Sequence, residues 1–479
     1  MTSRHSSTSW LQRVLGIAAA SIALLPGSAA AGGLEVTAYG ARALGRGGAV
    51  MASAQGGEAL RYNPARLASL RTWTVTSDLQ LQFGETCFTR KNAEDGSSFP
   101  EVCSNKPGVI PQLTASYPVS ERVTLALGVL PPAGTAALDF GDSRDGTIAI
   151  HGTRMPSPAR YALVSSDNLA VFPTLGLGID RGRLRLGAAF GWGVFILRNV
   201  AFTAGLPGDA PALDVRSAVS AVDTFVPRLM LGLDFDATRS WNLALQGTWT
   251  DGVRAPGALY LSGVTLGMPY STRVGGVTLN NANAWEAGAA ARYHTERWEF
   301  EADLLYQGTS RLKEVVIDVP DTARLPVSGT LDGQDISRLP SRQTIARHWR
   351  DQVVLRVGSD YQAIADRLWL RAGLSVESNG VEHGYESVDN LPLHRFGVHA
   401  GLGVRVAAYA DLNLAYALIV FPTVQLSNAD ARIEQPVGQR PGQLADAHPT
   451  INAGTYKTGV QAMAISIVFH AREAKRSAP

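Results

Sequence analysis

From residue 72 onward the chain repeats one pattern: segments of roughly ten residues alternate apolar side chains with small or polar ones. In Trp298-Glu299-Phe300-Glu301-Ala302-Asp303-Leu304-Leu305-Tyr306, Trp298, Phe300, Ala302, Leu304 and Tyr306 share one face, and Glu299, Glu301 and Asp303 share the other. Phe396, Val398, Ala400, Leu402, Val404 and Val406 alternate with Arg395, Gly397, His399, Gly401, Gly403 and Arg405 in the same way. Trp73, Val75, Leu79, Leu81 and Phe83 do so against Thr74, Thr76, Asp78, Gln80 and Gln82. The pattern predicts strands at 72–83, 109–119, 122–131, 168–180, 183–197, 221–236, 241–251, 282–294, 297–308, 350–362, 367–377, 394–408, 411–421 and 459–470.

Alternation alone does not say which face meets which medium. A soluble sandwich hides its apolar face, whereas a membrane barrel turns it to lipid and keeps a polar lumen. Three features favour the barrel. The strands are long, and Trp73, Trp241, Trp249, Trp298, Tyr306, Tyr361 and Tyr416 stand near segment ends, where lipid meets water. The connections also alternate. Tight turns fall at Ser120-Glu121, Arg181-Gly182, Thr238-Arg239-Ser240, Thr295-Glu296, 363–366 and Tyr409-Ala410, with long loops at 84–108, 132–167, 198–220, 252–281, 309–349, 378–393 and 422–458. The expected fold is all-β: a transmembrane antiparallel β-barrel of about fourteen strands, with short turns in the periplasm and long loops outside.

Composition agrees with this reading. Charged residues make up 18% of the 479, and no stretch reaches the length of apolar chain a spanning helix needs, so strands must make any membrane contact. A formal net charge of +2 gives no reason to expect a nucleic-acid partner. Residues 1–31 read as a signal peptide: Arg4, His5 and Arg13, an apolar run from Val14 to Leu25, a break at Pro26-Gly27, and small residues at Ala29-Ala30-Ala31. The last strand ends in Ile465-Ser466-Ile467-Val468-Phe469, and residues 471–479 form a basic tail. In an oxidising compartment Cys87 and Cys103, the only cysteines, are expected to form a disulfide, with two free thiols as the alternative. No further ligands stand near them, so no metal site is expected.

Residues 32–71 are not strand-like. Gly40-Ala41-Arg42-Ala43-Leu44-Gly45-Arg46-Gly47-Gly48-Ala49 is followed by Tyr62-Asn63-Pro64-Ala65. Together they resemble the N-terminal hatch of the FadL/TodX outer-membrane transporters, with Arg66 where that family usually has Gly. Trp349-Arg350-Asp351, Gly358, Tyr361, Leu370-Arg371-Ala372-Gly373, Leu391-Pro392 and Arg395 continue the resemblance in order. Asn379 stands where a proline is common. The resemblance implies a hatch inside a barrel of residues 72–470, with Gly45, Gly47, Tyr62, Asn63, Pro64 and Ala65 as its motif. Independently, Gly-rich irregular backbone at membrane depth must be enclosed by protein, as a plug is. Asn63-Pro64 also reads as a simple turn.

No phosphate-binding loop, His-Glu-x-x-His pair or Gly-x-Ser-x-Gly elbow occurs, so neither an enzyme nor a cofactor is expected. His399 reads as a polar lumen residue. Lumen-facing Arg356, Arg371 and Arg395 are candidates for holding a ligand carboxylate, with barrel-internal salt bridging as the alternative. Phe202 and Leu259-Tyr260-Leu261 make two loops unusually apolar. They are candidates for ligand capture, which the resemblance also implies near these loops, or else pack over the barrel mouth. Pro131-Pro132 ends the third strand, and the resemblance implies a side opening there; a plain strand end is the alternative. Arg338, Arg342, Arg347 and His348 are placed to attract anionic headgroups or lipopolysaccharide. The resemblance implies a monomer in the bacterial outer membrane that imports a hydrophobic small molecule, a long-chain fatty acid first among them. A porin for polar solutes and a structural or adhesion barrel are the competing readings.

Overall fold

The computed structural model describes residues 38–131, 137–205, 208–265, 268–326, 330–331, 334–335, 337–389, 391, 393–436 and 448–471. The expected signal peptide at 1–31, the first residues of the expected hatch (32–37), Pro132 and all but the first residue of the tail lie outside them. The wall consists of β1 (Thr74–Arg90), β2 (Pro107–Pro118), β3 (Val123–Leu130), β4 (Leu169–Arg181), β5 (Leu184–Thr203), β6 (Val215–Asp236) and β7 (Trp241–Thr250). It continues through β8 (Glu286–His294), β9 (Trp298–Gln307), β10 (Gln352–Ile364), β11 (Leu368–Glu377), β12 (Arg395–Ala407), β13 (Ala410–Val420) and β14 (Gly454–His470). Each strand pairs antiparallel with the next. β14 returns to β1 in continuous register from Thr74↔His470 to Arg90↔Gly454, which closes the barrel.

The faces are inverted relative to a soluble protein. Leu175, Leu127 and Leu304 are 64%, 58% and 54% exposed, and Phe190, Trp241, Trp298, Leu370 and Val398 also point outward. Apolar surface gains roughly 25 cal/mol per Å² on leaving water. A continuous outer band of such side chains is therefore stable only against acyl chains. Among the described residues no helix is long and apolar enough to cross a membrane.

Two expected loops are largely strand. β5 runs on to Thr203 and β6 starts at Val215, so Phe202 belongs to the sheet. Within 252–281 the chain forms a hairpin of Val253–Thr265 against Met268–Asn281, which continues the wall beyond the tops of β7 and β8. Pro256, Gly257 and Gly263 interrupt the alternation there, and the hairpin absorbs them with a register shift at Gly257/Ala258. Leu259 and Leu261 consequently face inward and are buried, while Tyr260 faces out.

Residues 38–71 fill the lumen near the short turns. They form α1 (Ala41–Gly45), a 3₁₀ turn (Gly56–Glu58), α2 (Ala59–Tyr62) and a second 3₁₀ segment (Pro64–Ser69). Such short helices are too brief to be stable alone. The barrel wall holds them.

Candidate functional site

The plug is held by charge. Arg46 is fully buried, and its Nη1 lies 2.6 Å from both Glu299 Oε1 of β9 and Asp360 Oδ2 of β10, with Nη2 3.2 Å from Glu301 Oε2. Burial alone would lower the pKa of Arg46, but Asp360, Glu299 and Glu301 outweigh it and hold the guanidinium above its ordinary value. Arg42 Nη1 pairs with Glu58 Oε2 at 2.8 Å within the plug. Backbone donors add to this: Val50 N and Met51 N reach Asp303 Oδ2 at 3.1 Å, and Ala52 N reaches Glu301 Oε1 at 2.6 Å. On the other side of the plug, Arg66 Nη1 meets Asp234 Oδ2 of β6 at 2.9 Å, a carboxylate shared with Arg185 at 2.6 Å.

The motif residues position the chain for these contacts. Tyr62 Oη donates to Tyr39 O at 3.0 Å and accepts from Tyr39 N at 2.9 Å. Burial pushes the Tyr62 phenol above its ordinary pKa, so it keeps the proton it donates. Asn63 Oδ1 accepts from Ala65 N at 3.0 Å, capping the 3₁₀ segment that Pro64 opens, while Nδ2 donates to Leu233 O at 3.0 Å. The dipeptide is thus both a turn and a wall anchor. Gly47 has φ +67°, a left-handed turn suited to glycine. A Cβ on Gly45 would lie 2.9 Å from Gly401 Cα.

The wall yields to the plug through inward-facing glycines. A Cβ at Gly373 would sit 2.1 Å from Arg46 C, and one at Gly187 would sit 2.1 Å from Pro64 C. Neither overlap is tolerable. These glycines, with Arg42, Arg46, Asp234 and Glu301, seat the plug, and the sequence reading did not single them out as a group. The available signal was glycine at lumen-facing positions of long strands, which otherwise weakens a strand and needs a reason.

Above the plug the lumen changes character. Climbing from the short turns, buried inward positions pass from Asp78, Gln80 and Gln82 to Phe88 on β1, and from Asn413 to Ala417 and Ile419 on β13. They pass from Ser466 to Val460 and Tyr456 on β14, from Thr174 to Phe172 on β4, and from Asp234 to Val226 on β6. Phe88, Phe172, Val226, Ile419, Tyr456 and Val460 belong to one apolar cluster, which also takes in Leu44, Leu60 and Leu67 of the plug. Phe88 stacks on Tyr456 at 4.5 Å, and Phe172 meets Phe195 edge-on at 5.7 Å.

The three candidate carboxylate-binding arginines separate. Arg371 Nε lies 2.7 Å from Asp360 Oδ1, and Arg395 Nη2 lies 2.6 Å from Glu377 Oε1. Both are engaged by the barrel's own acids. Arg356 is 8% exposed and makes no ion pair among the described residues; it lines a cavity of about 20 Å³ with Tyr39, Arg61, Tyr62, Gln246 and Asp303. His399 Nε2 lies 3.0 Å from Ser375 Oγ, deep in the wall. Cys87 and Cys103 face each other at the top of β1 and are joined by a disulfide. Pro131 is buried directly after the last paired residue of β3. Among the basic residues of the fifth loop, Arg347 pairs with Asp389 at 2.6 Å, Arg342 with Glu314 at 3.8 Å and His348 with Glu382 at 3.6 Å. These contacts partly neutralise three of the four basic residues placed to attract anionic headgroups. Phe202, Leu259 and Leu261 are buried in the extended wall, which corrects their placement on exposed loops.

No curated protein sequence matches the chain. The fold is shared with solved structures at low identity. A Pseudomonas aeruginosa FadL homologue has a TM-score of 0.70 and 14% identity, over 91% of this chain and 99% of that one. The P. putida toluene transporter TodX has 0.63 and 16%, over 92% and 100%. The Ralstonia pickettii toluene transporter TbuX has 0.58 and 14%, over 91% and 99%. Residues 232–461, from β6 to β14, match the model of the outer membrane protein transport proteins (OMPP1/FadL/TodX), the family that this outer-membrane β-barrel resembles.

Proposed function

We propose that this protein imports hydrophobic compounds, long-chain fatty acids first among them, across the outer membrane without consuming energy. The observation that carries the reading is the change of the lumen from a charged, plug-filled end to an apolar cluster on β1, β4, β6, β13 and β14 toward the long loops. Each methylene moved from water into such surroundings contributes about 0.8 kcal/mol, so a long acyl tail binds there without ATP. Two similar barrels are described as toluene transporters, which supports a hydrophobic cargo in general. Arg356 favours a cargo with an acid head. It is the one candidate arginine without a protein carboxylate partner among the described residues, and it lies beside Arg61 and Tyr62 of the plug. In this reading the hatch motif gates passage, Phe202, Leu259 and Leu261 form the inner walls that capture the cargo, with Tyr260 on their outer face, and release is sideways beside Pro131-Pro132. The side exit is supported by β2, whose Pro107 to Gln112 pair with β1 but have no partner on the third strand among the described residues.

Lipid mass spectrometry on protein taken from membranes, with fatty-acid binding to the purified barrel, tests the proposal. Bound acyl chains, and weaker acid binding but unchanged toluene binding in Arg356→Met, are expected. Steady ion conductance with no acyl binding would instead indicate a channel for polar solutes.

A further inference from the structure

Three of the short turns carry an acid followed directly by an arginine: Glu121-Arg122 between β2 and β3, Glu296-Arg297 between β8 and β9, and Asp366-Arg367 between β10 and β11. All six side chains are exposed. None makes an ion pair among the described residues; the one side-chain contact is Gln362 Nε2 donating to Asp366 Oδ1 at 3.3 Å. The opposite rim behaves differently. There Arg154 pairs with Asp142 and Asp145 at 3.2 and 2.7 Å, Arg350 with Glu382 at 3.1 Å, and Lys457 with Glu101 at 2.8 Å. The loops spend their charges on one another, whereas these turns leave a carboxylate and a guanidinium side by side and unspent.

The turns also sit at a defined depth. Each adjoins an aromatic residue of the outer wall: exposed Tyr117 precedes the first, exposed Trp298 follows the second and stacks with Phe300, and Tyr361, whose ring lies 4.3 Å from that of Trp298, precedes the third. Tryptophan and tyrosine collect where headgroups meet acyl chains. The free charges therefore stand level with lipid heads of the periplasmic leaflet.

We propose that these three turns bind zwitterionic aminophospholipid heads, the arginine taking the phosphate and the acid taking the ammonium. Guanidinium binds phosphate oxygens through paired N–H donors. The carboxylate needs an N–H donor in return, which a primary ammonium has and a quaternary one lacks. An anionic head without an amine would satisfy the arginine and repel the acid. The chemistry thus selects phosphatidylethanolamine over phosphatidylcholine and phosphatidylglycerol.

The test places the full chain in nanodiscs of the three lipids in equal amounts and reads, by native mass spectrometry, the lipids retained on release. Phosphatidylethanolamine should be enriched at least about threefold over each of the others. The combined Glu121→Gln, Arg122→Gln, Glu296→Gln, Arg297→Gln, Asp366→Asn and Arg367→Gln variant should lose that enrichment, and single-turn variants should each lose part of it. Heat-modifiable gel mobility checks that each variant is folded. Equal retention of all three lipids, a preference for phosphatidylglycerol, or enrichment that survives the combined variant would overturn the proposal. None of these outcomes depends on what the barrel transports.

Discussion

Near the short turns the barrel interior is a lattice of matched charges around the plug, whereas toward the long loops one side of it is lined by Phe88, Phe172, Val226 and Ile419. The two regions use opposite kinds of force. Salt bridges and backbone donors are directional and hold one object in one place. Apolar contact is non-directional and accepts tails of different shape. Under the proposed import, a plug that stays seated and a cargo that slips through call for that division.

Breaking the charged half should have the largest effect. Arg46→Met takes the cation from Glu301 and leaves Glu299 and Asp360 to Arg292 and Arg371, and breaking a buried ion pair costs about 3–5 kcal/mol. We expect faster hydrogen exchange across residues 38–71 and new conductance in planar bilayers; slow exchange and a silent bilayer would mean that the ion pairs do not seat the plug. Gly373→Val attacks the same contact by shape, at about 1–3 kcal/mol. It should raise exchange in the plug while the thermal transition of the barrel stays in place. The apolar half is probed by Val226→Thr, which sets a hydroxyl among hydrocarbon at roughly 1–3 kcal/mol. Fatty-acid affinity should fall about tenfold, the equivalent of ~1.4 kcal/mol, with exchange in the plug unchanged. The smallest change is expected from Ser375→Ala, which removes the partner of His399 for about 0.5–1.5 kcal/mol. Binding and conductance should both stay at wild-type levels, with only a slightly lower melting temperature.

The wall was legible because alternation is local: Trp298 to Tyr306 announce a two-faced strand without reference to anything distant. The polar faces of β1, β9 and β12 likewise marked a lumen. The hairpin of Val253–Thr265 and Met268–Asn281 was hidden by Pro256, Gly257 and Gly263, which mimic loop chemistry while sitting in strand. Partners were the least legible feature. Arg46 and Glu301 are 255 residues apart, and a single sequence carries no sign that they touch. For the same reason Arg371 and Arg395 looked available until the neighbouring strands supplied Asp360 and Glu377. The plug motif was recognisable, but the glycines that receive it are scattered over β5, β6 and β11.

The pairing of β14 with β1 favours one order of assembly. The plug runs directly into β1, and its buried side chains touch strands from most of the circumference. Once the final segment zips the seam, no gap between the first and last strands admits it, and the end between the short turns is the way left. A plug already inside at that moment is spared that passage, so filling before closing is the easier order.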